Sequence, residues 1–193
     1  MSKLYFKYGT MGSSKTAQAL MCKFNYEQKG FKVLLIKPIV DTRDVENGEI
    51  IARSRIGLTS PCYTFRSDDN LVDLINQKLS DESEYVVLVD EAQFCTKEQV
   101  DQLHIISERI PVICYGLLTN FKTELFAGSK RLVEIAESLT EIKSVCDCGA
   151  KAMVNARFID GVLTTEGDEI MIGADESYKC LCYSCFDKLR KGN

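Results

Sequence analysis

Three short apolar runs, FKVLLIKP (31–38), YVVLVDE (85–91) and PVICYGL (111–117), dictate most of what this chain can become. Each is nearly free of polar residues until its last positions, so each predicts a strand covered on both faces. Between the runs the apolar residues switch to helical spacing. Ala17, Leu20, Met21 and Phe24 form one set, Leu71, Leu74, Ile75 and Leu79 a second, and Val100, Leu103, Ile106 and Ile110 a third. KLYFKY (3–8) adds a first strand. Strands alternating with helices predict an α/β fold, a mostly parallel sheet with helices on both faces.

Ligands on such sheets bind at the carboxyl ends of the strands. The first strand runs straight into YGTMGSSKT (8–16), close to the phosphate-loop pattern G-x-x-x-x-G-K-[ST]. Gly9, Lys15 and Thr16 stand where that pattern puts them, and Ser14 replaces its second glycine. A loop between a strand and a helix aims backbone N–H groups and the helix's positive end at an anion. The expected nucleotide contacts are therefore Gly9, Thr10, Met11, Gly12, Ser13, Ser14, Lys15 and Thr16, with Lys15 on the outer phosphates and Thr16 on Mg²⁺. A side chain at position 14 is expected to crowd the approach of phosphate, although its hydroxyl could donate to one. The alternative for the loop alone is a polar turn ending in Lys-Thr. VVLVDEAQF (86–94) counts against it, because phosphate-loop enzymes place an Asp near the metal at the end of an apolar strand. Asp90 takes that role, which frees Glu91 to orient an acceptor hydroxyl and receive its proton.

The chain has 193 residues, enough for one main domain and a small accessory unit, and its net charge is −4. That balance disfavours nonspecific nucleic-acid binding or an anionic membrane surface. No apolar run reaches a membrane span's length of about 20 residues, and the first residues lack a signal peptide's core, so the expected location is cytoplasmic. The polar stretch from Asp41 to Asp69 carries Arg43, Arg53, Arg55 and Arg66 and is expected to be an excursion at the sheet's edge. His104 has no metal-ligating neighbours in sequence and is expected to be structural or a surface residue, and the end, DKLRKGN, a mobile polar tail.

Nine cysteines are many for a cytoplasmic chain, where disulfides are seldom maintained. Cys22, Cys62, Cys95 and Cys114 sit among apolar neighbours and read as small core side chains. The others cluster late. Cys146 and Cys148 form one close pair, and Cys182 and Cys185 a second, with the spacing of a four-thiolate zinc site. Disulfides are the alternative, and Cys180 is a rival to Cys182 as ligand. A closed site of this kind is structural, and would pin the base of a long loop over residues 149 to 181. The change in composition near 143–146 divides the chain into a nucleotide-binding α/β unit, 1–143, and a zinc-binding unit, 144–193.

YGTMGSSKT, KPIVDTR, VLVDEAQF, GLLTNFKTELFAGS and EGDEIMIGADESYKCLCYSC follow one another in an order that resembles the thymidine kinases shared by bacteria and animal cytosol. The resemblance spans nearly the whole chain, and Ser14, where that family carries glycine, is its main departure. It implies a P-loop parallel sheet with a zinc-ribbon-like C-terminal unit bearing a lasso loop. It further implies transfer of the ATP γ-phosphate to the 5′-hydroxyl of thymidine, with Mg²⁺ and a structural Zn²⁺. By the same resemblance, Glu91 is the catalytic base, Arg43, Asp90 and Gln93 join the loop in cofactor binding, and Met11, Phe94, Leu117, Phe121 and Phe126 line the thymine pocket. Met171, Ile172, Gly173 and Tyr178 match the part of the lasso that contacts the nucleoside, and Asn155 falls near a position facing the base. A homotetramer and feedback inhibition by dTTP are implied too, with neither nucleic acid nor membrane as partner. A shifted acceptor such as deoxyuridine, a nucleotide sensor blunted by Ser14, and a zinc module on nucleic acid are the competing readings.

Overall fold

The computed structural model describes residues 3–39, 45–46, 49–79, 84–167 and 178–192. In chain order, β1 (Leu4–Tyr8) leads through the phosphate loop into α1 (Lys15–Glu27), followed by β2 (Lys32–Pro38). Next come β3 (Val45–Glu46), β4 (Glu49–Arg53), β5 (Thr59–Pro61), β6 (Tyr63–Phe65) and α2 (Leu71–Asn76). β7 (Tyr85–Val89), a 3₁₀ turn over Ala92–Phe94, α3 (Lys97–Ser107), β8 (Val112–Gly116), α4 (Ala127–Ile135) and β9 (Ser138–Glu141) complete the larger unit. β10 (Val154–Ile159), β11 (Val162–Thr164), β12 (Tyr178–Leu181) and α5 (Tyr183–Arg190) form the smaller one.

Among the described residues six strands make one sheet in the order β6-β2-β7-β8-β1-β9. Every pairing in it is parallel. The apolar runs are buried on both faces, as expected, and alternate residues feed two separate cores. Phe6, Leu34, Ile36, Val87, Val89 and Cys114 face α2, α3 and α4, meeting Leu71, Ile75, Leu103 and Leu132. Leu35, Val86, Leu88, Ile113 and Tyr115 face the other way, toward Ala19 and Leu20 of α1. β8 lies between β7 and β1, so the ends of β1 and β7 flank a third strand end.

The helices differ from expectation in detail. On α1 the buried set is Ala17, Ala19 and Leu20, whereas Met21 and Phe24 are 49 % and 59 % exposed. Small alanines let the helix sit close to the sheet and turn its bulkier stripe outward. α2 and α3 stop before Leu79 and Ile110, and Leu79 still packs on the core from the following turn. Pro111 accounts for the second case, since a residue before proline is pushed out of the helical region. α3 begins with a capping box between Thr96 and Gln99, and His104 is a half-buried residue of its last turn.

The described part of the polar excursion is an antiparallel arm, β3-β4-β5, whose Ile51 and Ala52 are buried, and β6 then closes the sheet edge. Cys95 and Cys114 are core residues as expected, but Cys22 and Cys62 are partly exposed. The expected C-terminal tail is mostly α5, whose Phe186 is buried among the small sheet's apolar residues. Among the described residues no helix is long and apolar enough to cross a membrane.

Candidate active site

At the end of β1 the Gly9 N–H donates to the Gly116 carbonyl at 3.2 Å, drawing the loop tight against β8. A Cβ on Gly9 would stand 2.5 Å from the Ile142 carbonyl oxygen and would strike Ser13 Oγ, so only glycine fits. Further along, Gly12 and Ser14 both take left-handed backbone, at φ 69° and 63°. The second glycine of the consensus is thus explained by backbone angle: serine bears a cost of roughly 1 kcal/mol there. The Ser14 side chain faces solvent, and its Oγ accepts from Gln18 Nε2 at 3.4 Å. Among the described residues the buried Ser13 Oγ has no hydrogen-bond partner.

Lys15 is buried, and its ammonium donates to the Thr10 carbonyl at 2.7 Å. Desolvation lowers its pKa, while Glu91 and Asp90 oppose that shift through their charge. The ends of β1 and β7 therefore share one cleft. The Thr16 hydroxyl lies close enough to the Asp90 carboxylate to favour its charged form, so the last loop residue and the first acid are neighbours. A hydroxyl and a carboxylate so placed are hard oxygen ligands of the kind Mg²⁺ takes. Burial, reinforced by the neighbouring Glu91, pushes the Asp90 carboxyl up from 3.8 to about 7. Without metal and nucleotide, the folded state then binds more protons than the unfolded chain between those values, and stability falls as pH rises through that window. Asp90→Asn abolishes that slope. Urea denaturation of the ligand-free protein is expected to show the variant more stable by on the order of 2–4 kcal/mol above pH 7, converging with the parent near pH 4. Parallel pH profiles for the two proteins would refute this account.

Glu91 itself sits at φ 53°, left-handed backbone that a glutamate seldom adopts, directly before the 3₁₀ turn. Strain of this kind persists only where surrounding contacts over-determine it. Those contacts come from Gln93, which is buried: its Nε2 donates to Glu91 Oε2 at 2.5 Å and its Oε1 accepts from the Leu117 N–H at 2.9 Å. The Gln93 amide, expected to join cofactor binding, ties the Glu91 carboxylate to the end of β8. Gly128, at the start of α4, packs its missing Cβ against the Ala92 and Cys95 carbonyls, which holds the turn from beneath.

Of the residues expected around a base, Phe94 and Phe126 meet edge to face, with centroids 5.7 Å apart. Leu117, half-buried, directly follows β8, and Phe126 is buried. Phe121 is buried beneath the Arg157 guanidinium, 3.6 Å above its ring centroid. Arg157 escaped the sequence reading; its Nη2 also donates to the Glu166 carbonyl at 2.6 Å, just before the undescribed segment. Asn155 Oδ1 accepts from the Met11 N–H at 2.7 Å and its Nδ2 donates to the Thr119 carbonyl at 2.9 Å. The Cys180 thiol donates to the Met11 carbonyl at 2.6 Å, so both backbone groups of Met11 are held by the smaller unit. Tyr178 lines a cavity of about 510 Å³ with Met11, Gly12 and Arg55. Arg43, Met171, Ile172 and Gly173 lie outside the described residues.

The sulfurs of Cys146, Cys148, Cys182 and Cys185 all lie within 4.8 Å of one another, and Cys148 and Cys182 are 3.6 Å apart. A tetrahedron with zinc–sulfur bonds of about 2.3 Å has sulfur–sulfur edges of roughly 3.8 Å, so the four fit a zinc ion. Backbone N–H groups of Cys148 and Cys182 draw the Cys146 thiol down to about 7, while hydrogen bonds with its three neighbours, Cys182 first, push Cys185 up to about 12. Cys180, engaged with Met11, is outside the set, so the rivalry falls to Cys182.

Residues 2–186 match the family model described as thymidine kinase. A thymidine kinase of Legionella pneumophila is 43 % identical over 186 residues, covering 94 % of this chain and 88 % of that protein. One of Haemophilus influenzae is 43 % identical over 185 residues, covering 94 % of each. One of Shewanella oneidensis is 40 % identical over 189 residues, covering 96 % of this chain and 97 % of that one. With a phosphate loop, its paired acids and four clustered thiols in one fold, and with matches that run almost end to end, the chain belongs to the thymidine kinase family.

Proposed function

We infer that the chain transfers the γ-phosphate of ATP to the 5′-hydroxyl of thymidine, giving thymidine monophosphate. The observation that carries this reading is the juxtaposition of Lys15 and Thr16 from the loop with the acid pair Asp90 and Glu91, Lys15 and Asp90 being buried. The free N–H groups of the first turn of α1 receive the phosphates. Lys15 exchanges its contact with the Thr10 carbonyl for the outer phosphates. Thr16 and Asp90 would hold Mg²⁺, which would supply neutralisation of phosphate charge.

Glu91, braced by Gln93, accepts the proton of the 5′-hydroxyl as its oxygen bonds to the γ-phosphorus and the bond to the β,γ-bridging oxygen breaks. Met11, Phe94, Leu117, Phe121, Phe126 and Tyr178, with Met171, Ile172 and Gly173 of the lasso, enclose the base in this reading, and Arg43 supports the phosphates. Cys146, Cys148, Cys182 and Cys185 hold zinc in a structural unit taken as 144–193, beside an ATP-binding unit of 1–143. A cytoplasmic homotetramer inhibited by dTTP completes the proposal, and the exposed Met21 and Phe24 on α1 give an oligomer apolar surface to cover. No observation favours a blunted sensor, since the Ser14 side chain leaves the loop open.

Purified protein with ATP and Mg²⁺ is expected to phosphorylate thymidine with kcat of order 1–100 s⁻¹. Deoxyuridine should follow at reduced efficiency and purine nucleosides should not react. Failure with every pyrimidine deoxynucleoside in the panel would overturn the assignment.

A further inference from the structure

Arg55 belongs to no role assigned so far, yet it hangs over the phosphate loop. A Cβ built on Gly12 would lie 3.7 Å from Arg55 Nη1, and Gly12 is an exposed, left-handed residue at the loop's crest. The guanidinium also lies within electrostatic reach of Lys15 and of the Cys180 thiol. Arg55 and Gly12 border the same cavity of about 510 Å³ that Met11 and Tyr178 line.

The arm delivers this side chain from a fixed point. Arg55 sits in the turn between β4 and β5, and that turn is closed by the buried Ser54. Ser54 N donates to the Leu58 carbonyl at 2.8 Å, Leu58 N donates to Ser54 Oγ at 2.9 Å, and Gly57 N donates to the Ser54 carbonyl at 3.0 Å. Gly57, at φ 88°, supplies the left-handed residue that such a turn requires. At its base the arm is tied to the sheet: the buried Lys37 ammonium donates to the Ile51 carbonyl at 2.8 Å, and Ala52 packs into the core on the α1 side. A guanidinium on so constrained a support loses little further freedom when it binds, and its planar fork matches phosphate oxygens.

We propose that Arg55 is a phosphate-binding catalytic residue, which closes over the crest of the loop to grip the triphosphate of the donor together with Lys15. The proposal rests on the reading of this cleft as an ATP site. Arg55 exchanges no proton and no electron pair. It holds the charge that gathers on the phosphoryl oxygens and on the β,γ-bridging oxygen while the bond from that oxygen to the γ-phosphorus breaks and the bond to the acceptor forms.

The test compares the parent protein with Arg55→Ala and Arg55→Lys. Titration calorimetry measures binding of β,γ-methylene ATP with Mg²⁺, and separately of thymidine; steady-state assays measure turnover. For Arg55→Ala, analogue affinity is expected to fall at least about tenfold and kcat/KM for ATP about 10²–10³-fold. Thymidine affinity should stay within about twofold, Arg55→Lys should recover only part of the loss, and added guanidinium ion should restore turnover to Arg55→Ala. Should Arg55→Ala fail to fold, Arg55→Lys carries the same comparison. Analogue affinity and kcat/KM within about threefold of the parent, or equal losses for thymidine and ATP, would overturn the proposal. If the parent binds the analogue through Arg55 yet phosphorylates no nucleoside, the phosphate role stands and the kinase reading fails.

Discussion

Glu91→Gln is expected to lower kcat for thymidine about 10³-fold while leaving the affinities for thymidine and for ATP within about threefold. The substitution keeps the side chain's length and its acceptor oxygen, so Gln93 Nε2 can still donate to position 91 and the strained φ of 53° keeps its brace. What it removes is the ability to take a proton. A general base contributes about 10²–10⁴ to a rate, and the remaining catalysis comes from holding donor and acceptor together. Steady-state kinetics beside calorimetry separates the two effects. A variant that turns over at more than about a tenth of the parental rate would remove Glu91 from the role of base, and a variant that loses ATP binding would make it part of the nucleotide site instead.

Loss of the zinc site is expected to be more damaging still. The small unit's buried cluster contains Cys146, Ala152, Val154, Ala156, Leu181, Cys182 and Phe186, of which two belong to the four-thiol group proposed to hold zinc. A core of that size does not stabilise a fold by itself. Structural zinc in comparably small units contributes roughly 10–16 kcal/mol, as much as or more than the total stability of an ordinary domain. Cys182→Ser is therefore expected to abolish stoichiometric zinc and to expose β10, β12 and α5 to hydrogen exchange and proteolysis. Turnover should fall with it, since Asn155 on β10 and Cys180 on β12 hold both backbone groups of Met11 in the phosphate loop. Cys180→Ser, by contrast, should keep its zinc. Metal analysis by mass spectrometry decides the matter: a Cys182→Ser protein that retains one zinc per chain, or a parent that never holds any, would refute the ligand set.

Several parts of this fold were legible before any coordinates, and the reason in each case is local. FKVLLIKP, YVVLVDE and PVICYGL declare strands buried on two faces because the pleat sends successive side chains to opposite sides, and both sides here are covered. The phosphate loop and the acid pair announce themselves because backbone N–H groups at a helix start, and a carboxylate at a strand's end, are consequences of short sequence windows. Ser14 illustrates the limit of such windows. The pattern marks the position, but the left-handed backbone behind the missing glycine, and the outward turn of the serine hydroxyl, belong to the folded loop.

Sequence by itself determined the layered α/β architecture, the order of the motifs and the chemistry of the cleft, because periodicity and turn residues act over a few positions. Tertiary structure alone decided who stands beside whom. Asn155 reaches Met11 across 144 positions and Cys180 reaches it across 169, Arg157 covers Phe121, Gln93 braces Glu91, and Arg55 arrives over Gly12 on an arm. Contacts between residues so far apart along the chain leave no periodic trace in it, since nothing about either residue's neighbours depends on the partner until the chain has closed around both.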